Sequence, residues 1–244
     1  GKAVLCEKPL AMNQKEVKSM IECSRKNSVF LLEAMWTRFI PATEKLIELL
    51  ESKLVGKLKL LKADFGFKAN YDPYSRLFNK SLGGGALLDI GIYPVFLSLL
   101  TLGIPDNISA HAIKAPSGVE STCAIIFEYT SGQLSILDCS LNTETETEAC
   151  IYGETGKLKL QSRFHHSKEI NLIKHGKLTE RFKLDYLGNG YFHEIQEVNN
   201  CLLNGKTESE KMPLSMSLQL IQILDKIRPL INVSYPSDTG SVSI

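Results

Sequence analysis

The sequence predicts an α/β segment joined to an α+β domain: the end of a parallel sheet followed by a large, open, mainly antiparallel sheet. Three observations predict it. A strand–helix–strand pattern fills residues 3–33. A long apolar helix, entered through three glycines, runs from Leu82 to Gly103. From Asn107 to about Leu184 the apolar period changes from helical spacing to two.

Ala3 to Glu7 reads as a short buried strand, which Pro9 ends by biasing Lys8 towards an extended conformation. Asn13 and Glu16 then have capping-box spacing, and Val17, Met20, Ile21 and Ser24 follow at helical intervals, so a helix is expected from about Gln14 to Lys26. Val29 to Glu33 is the next strand. Strand, helix and strand of this length form a βαβ unit with parallel strands. Parallel sheets are normally covered on both faces and contain several strands. The expectation is therefore a C-terminal remnant of a doubly wound, Rossmann-like sheet in residues 1–40, whose preceding part is missing from this chain.

After Pro41, a first-turn proline, Leu46, Ile47, Leu49, Leu50 and Leu54 mark a second helix closed by Gly56. Lys57 to Phe67 reads as a strand, and Asn70 to Tyr74 as a loop. The apolar helix Leu82–Gly103 is greasy on nearly every side, which makes it a buried core helix rather than a membrane span. Alternation at Cys123, Ile125, Phe127 and Tyr129, at Leu134 and Ile136, and from Thr145 through Glu148 into Cys150 predicts an antiparallel meander. Turns fall at Gly153–Gly156 and at His175–Lys177. Two helices, Tyr191–Leu203 and Leu214–Ile231, complete the α+β domain of residues 41–244, and a frayed tail follows Pro236.

The composition excludes several classes. With 28 basic and 27 acidic residues the net charge is +1, so neither a nucleic-acid groove nor a polybasic membrane anchor is expected. The six cysteines contain no C-x-x-C pair and no secretory leader is seen, which reads as a reduced, cytoplasmic protein with thiols as small core hydrophobes. Five histidines, including His165 and His166, show no metal-ligand spacing.

The residues that can carry chemistry converge on the parallel strands and the apolar helix. Lys8 lies at the carboxyl end of a parallel strand, where open α/β sheets bind ligands. Asp89 and Tyr93 are four apart, on one face of the apolar helix, and a buried carboxylate there requires a partner. A lysine beside the phenol would lower its pKa towards working pH and make Tyr93 a general acid or base. Each of the three has a plain alternative: a solvated lysine, a hydrogen-bonded structural Asp, a half-buried aromatic. Gly83, Gly84 and Gly85 permit a ligand to approach the backbone, or simply close helix packing. Trp36 and Arg38 emerge at the same rim as Lys8 and suit a planar or anionic ligand, while Arg38 is equally suited to a domain seam. His193 is a further candidate for substrate contact on the penultimate helix. No G-x-G-x-x-G occurs, so a dinucleotide site is not derivable from the chain's own motifs.

Four segments, AVLCEKPLAMN, EAMWTRFIPA, LGGGALLDIGIYP and GYFHEIQEVNNCLLNGK, resemble the C-terminal two-thirds of glucose–fructose oxidoreductase/inositol dehydrogenase-type enzymes, in the dimeric dihydrodiol dehydrogenase-like branch. The resemblance implies hydride transfer between NADP or NAD and a sugar, polyol or dihydrodiol-like small molecule. It implies that residues 1–40 end a dinucleotide-binding domain and that residues 41–244 bind substrate and dimerise through the large sheet. It places Lys8 near nicotinamide and substrate, with Asp89, and makes Tyr93 the proton donor in reduction. Glu7 and Pro9 flank that lysine in the cofactor contact, and Trp36 and Arg38 take the rim. The alternative reading is a truncated, non-enzymatic chain that dimerises or binds a sugar-like ligand. The joint presence of Lys8, Asp89 and Tyr93 favours the oxidoreductase.

Overall fold

A computed structural model describes residues 1–238. Strands β1 (Val4–Glu7) and β2 (Leu31–Ala34) pair in parallel, Val4 opposite Leu31 and Glu7 opposite Ala34. Helix α1 (Gln14–Lys26) is the crossover. Asn13 Oδ1 accepts from the Glu16 amide at 3.0 Å, and Glu16 Oε2 reaches back to the Met12 amide at 3.0 Å, so the expected cap forms. One expectation is corrected here: β1 is not buried. Val4 and Leu5 are 43% and 39% exposed and only Cys6 of this strand packs against the core among the described residues, because β2 covers one edge of β1 alone, whereas β2 is buried throughout.

Pro41 opens α2 (Pro41–Glu51), which stops before Leu54 because the chain turns at Ser52. Strand β3 (Leu58–Gly66) then enters the large sheet with β4 (Asn107–Lys114), β5 (Glu120–Glu128), β6 (Leu134–Ser140), β7 (Ala149–Gly153), β8 (Lys157–Leu160), β9 (Glu169–Lys174) and β10 (Lys177–Lys183). The strand order is β10-β9-β8-β7-β3-β6-β5-β4. The expected meander is thus split: β3 lies in its middle, parallel to β6 and antiparallel to β7. Thr145–Glu148 is not strand. Thr147 has φ +53°, and the amides of Thr147 and Glu148 turn to the Asp64 carboxylate at 2.6 and 3.0 Å instead of a ladder.

The apolar helix is also interrupted. A π-helical turn, Leu87–Gly91, precedes α3 (Ile92–Leu102). By length and composition Lys80–Leu102 could cross a membrane, yet 78% of its most apolar stretch is buried as the central core helix. It packs on β3 and β6 from one side and on α5 (Leu214–Leu230) from the other. Phe96, Leu97 and Ile92 are almost wholly enclosed, each contributing about 1.5–3 kcal/mol of burial. Ser98, the polar exception, is satisfied by Tyr129 and Ser135 hydroxyls at 2.9 and 2.7 Å. The opposite face of the sheet carries exposed Ile113, Ile126 and Ile136.

Helix α4 (Phe192–Leu203) packs on the Trp36–Phe39 turn, and α5 packs on α1 and β2, so one apolar core spans the division at residue 40. After Pro236 the chain is fastened rather than frayed as far as Asp238, which pairs with Arg228 at 2.8 Å. The remainder of the expected tail lies outside the described residues.

Candidate active site

Three elements bring Lys8, Trp36, Asp89 and Tyr93 together. Lys8 leaves the end of β1, held by the following Pro9. Trp36 begins the single 3₁₀ turn after β2, and the π turn with the start of α3 presents Asp89 and Tyr93. The Lys8 ammonium donates to the Asp89 carbonyl, lies 3.8 Å from the Asp89 carboxylate and stands 4.9 Å from the centre of the Tyr93 ring. The Asp89 carboxylate has a second cation, Arg76, at 2.7 Å. Trp36 Nε1 donates to the Tyr93 hydroxyl at 2.9 Å. Glu7 is exposed beside this group.

The electrostatics correct the expectation for the phenol. Lys8 stands over the ring face, not at the hydroxyl, and burial pushes the Tyr93 pKa well above the ordinary phenol value, only partly opposed by the bond from Trp36. Tyr93 is thus held protonated. Burial also lowers the Lys8 pKa, with the Asp89 carboxylate opposing the shift. A protonated phenol with its oxygen fixed by an N–H donor can deliver its own proton outward.

Two expected members stand apart. Arg38 is 9% exposed, and its guanidinium is spent on Glu44 at 2.5 Å and the Lys211 carbonyl at 2.7 Å. A buried guanidinium must be paired, and this one pins α2 to the segment before α5, the seam alternative. His193 accepts from the Leu187 amide at 3.3 Å and lines a shallow groove with Arg38 and Lys211. Among the described residues it neighbours Leu187, Phe192, Arg38 and Lys211 rather than Lys8, Asp89 or Tyr93. The glycines serve packing: a side chain at Gly85, where φ is +130°, would run into the Glu120 carboxylate that accepts from the Leu87 amide at 2.9 Å.

The structure adds an aromatic surround that sequence reasoning missed. Trp36 stacks on His166 (5.2 Å between centres) and lies 4.8 Å from Tyr191, while Gly190, φ +101°, leaves room for the indole. Phe65 and His165 stack at 4.4 Å, and His165 is 5.0 Å from Tyr93. Burial holds the His165 imidazole neutral, far below its ordinary pKa. Buried Glu194, its carboxyl raised to about 7 by burial and by Glu7, lies near Tyr191. Of the residues added to Trp36, the adjacent His165 and His166 form the one pair evident in the sequence.

A lysine at the carboxyl end of a parallel strand thus faces a buried tyrosine held protonated inside an aromatic wall. Residues 43–159 match the GFO/IDH/MocA C-terminal domain model. The chain is 37% identical to trans-1,2-dihydrobenzene-1,2-diol dehydrogenase of Danio rerio and 35% identical to that of Homo sapiens, over 98% of its own length and 73% of theirs. It therefore belongs to the GFO/IDH/MocA family of NAD(P)-dependent oxidoreductases, alongside those dihydrodiol dehydrogenases. The fold is shared with an aldose-aldose oxidoreductase from Caulobacter crescentus (TM-score 0.84, 21% identity, 94% of this chain and 70% of that one). It is shared also with a 3-ketoreductase from Actinomadura kijaniata solved with NADP (TM-score 0.84, 20% identity, 95% and 71%).

Proposed function

We propose that the chain carries the substrate side of an NAD(P)-dependent oxidation of a small dihydrodiol, sugar or polyol and of the reverse reduction, with Tyr93 as the proton donor in reduction. The observation that carries the reading is the Trp36–Tyr93–Lys8 arrangement. In it Trp36 fixes the phenol oxygen, Lys8 covers the ring, and burial keeps the proton on. Lys8, anchored on Asp89, supplies the positive charge that favours an alkoxide-like oxygen on the substrate as that oxygen leaves or enters its carbonyl form.

The residues present fit one end of the cofactor. Lys8 sits where ligands of open parallel sheets bind, with Glu7, Pro9 and the flat indole of Trp36 beside it, which suits the nicotinamide ring. The described residues hold no glycine-rich phosphate loop of the G-x-G-x-x-G kind. When bound, NAD(P) supplies or accepts the hydride. The chain's own part is to orient the substrate, to move the proton at the Tyr93 oxygen and to exclude water with the aromatic wall.

The open sheet face, with exposed Ile113, Ile126 and Ile136, supports a homodimer through the large sheet. A small-molecule substrate, no nucleic-acid or membrane partner, and a cytoplasmic setting complete the reading. Six free cysteines and a near-neutral charge support these last points. Titration of NADPH and NADH tests it, since Trp36 is the only tryptophan. Energy transfer from Trp36 to the reduced nicotinamide is expected, and its absence at saturating concentration would remove the cofactor from this rim.

A further inference from the structure

Strand β2 is buried throughout and apolar except at Glu33, which is 2% exposed. A carboxyl taken out of water is costly unless it is bonded, so packing alone would favour leucine there. Glu33 lies opposite Cys6 in the ladder of β1 and β2, and Cys6 is two residues before Lys8. Glu33 Oε1 accepts from the amide of Leu10, two residues after Lys8, at 2.9 Å. The Leu10 carbonyl in turn accepts from the Cys6 thiol at 3.7 Å. One ladder pair therefore closes the turn that carries Lys8 at both ends. Burial raises the Glu33 carboxyl to about 7, and charged or neutral it keeps an acceptor oxygen for the Leu10 amide. The backbone of the same residue begins the other half of the site. Its carbonyl accepts from the Met35 amide at 2.8 Å, where the chain turns into Trp36.

Lys8 needs such a hold. Its ammonium bonds the Asp89 carbonyl and stands 4.9 Å from the centre of the Tyr93 ring, at the end of a flexible four-carbon stem. The strand that precedes it is partly exposed. We infer that Glu33 is a positioning residue: through the Leu10 amide it fixes the turn that sets the Lys8 ammonium against Asp89 and Tyr93. Glu33 acts through Lys8 rather than on a substrate. Its part in turnover rests on the oxidoreductase reading above; its hold on Lys8 does not.

Nuclear magnetic resonance of the chain with carbon-13-labelled lysine reads that hold without cofactor or turnover. The Lys8 methylene beside the ammonium lies in the field of the Tyr93 ring, so its signal should be displaced upfield of the other lysines. Lys8→Met assigns it. Glu33→Leu, close in volume and without an acceptor, should return that signal to the common lysine position and leave the others in place. Glu33→Gln keeps an acceptor for the Leu10 amide and should keep the displacement. Circular dichroism checks folding, and if Glu33→Leu does not fold, Glu33→Ser, which admits water to the amide, decides. A displacement that persists in the deciding variant, or a general disturbance of the lysine signals, would overturn the inference. In turnover, Glu33→Leu should lower kcat about tenfold or more, as a misplaced reacting group does. In the Lys8→Met background it should lower kcat no further, because two changes that act through one group do not add. A loss that persists in that background, or no loss in either, would overturn the positioning role. A parent that turns over no dihydrodiol, sugar or polyol would instead overturn the oxidoreductase reading, and the lysine spectrum would still decide the hold on Lys8.

Discussion

Trp36 donates its indole N–H to the hydroxyl oxygen of Tyr93 at 2.9 Å, joining the turn after β2 to the start of the core helix. The bond occupies the phenol as an acceptor and leaves its own proton free to be given. Together with Lys8 over the ring it fixes the phenol from two elements far apart in sequence. The predictions below follow from that arrangement and from the burial around it.

Lys8→Met keeps the side chain's length and removes the ammonium that donates to the Asp89 carbonyl. Asp89 then has Arg76 alone. The variant is expected to fold and to lose about a hundredfold or more in kcat, in the range of a lost electrostatic group at a reacting oxygen. Steady-state kinetics beside a circular dichroism spectrum check this. A kcat within twofold of the parent would take Lys8 out of the chemistry.

The raised pKa of Tyr93 fixes the sign of the pH dependence. Reduction uses the protonated phenol, so its kcat/KM should be flat between about pH 6 and about pH 8.5. Oxidation uses the phenolate, so its kcat/KM should climb about tenfold per pH unit across the same range. A plateau of the oxidation limb near neutrality would mean a phenol far more acidic than its burial dictates.

Glu120 is fully buried under Gly85, and burial raises its carboxyl to about 7. The folded protein therefore keeps a proton that the unfolded chain gives up near its ordinary value of 4.5. Stability present below that value is lost as pH rises to about 7 and is level beyond, a drop of roughly 3 kcal/mol from this group. Glu120→Gln retains an acceptor for the Leu87 amide and cannot titrate. Its Tm should exceed the parent's by several degrees at pH 8 and match it near pH 5. The same difference at both pH values would show that titration of Glu120 does not govern this loss.

Much of this was legible because it is local. Asn13 and Glu16 mark the start of α1, and the strand–helix–strand order dictates parallel pairing of β1 with β2. The motif residues Lys8, Asp89 and Tyr93 do meet, although the helix that carries two of them is broken by a π turn with no local signature. Insertion of β3 between β6 and β7 was not legible, since alternation reports which face is buried and says nothing of which strand lies beside it. Arg38 stayed open between rim and seam in the sequence because a guanidinium in either place has the same sequence surroundings; its bonds to Glu44 and the Lys211 carbonyl are the seam contacts. His165 was missed because it reaches Tyr93 from a loop seventy-two positions along the chain, a distance only the sheet closes.

The central claim is that Tyr93 gives the proton, and Tyr93→Phe tests it most directly. The substitution removes one oxygen and keeps the ring under Lys8 and against Phe65 and His165. The account predicts a fall in kcat of about a hundredfold or more, with cofactor affinity, read by nicotinamide fluorescence, within about twofold of the parent. Unchanged kcat, or equal loss of turnover and cofactor binding, would contradict it.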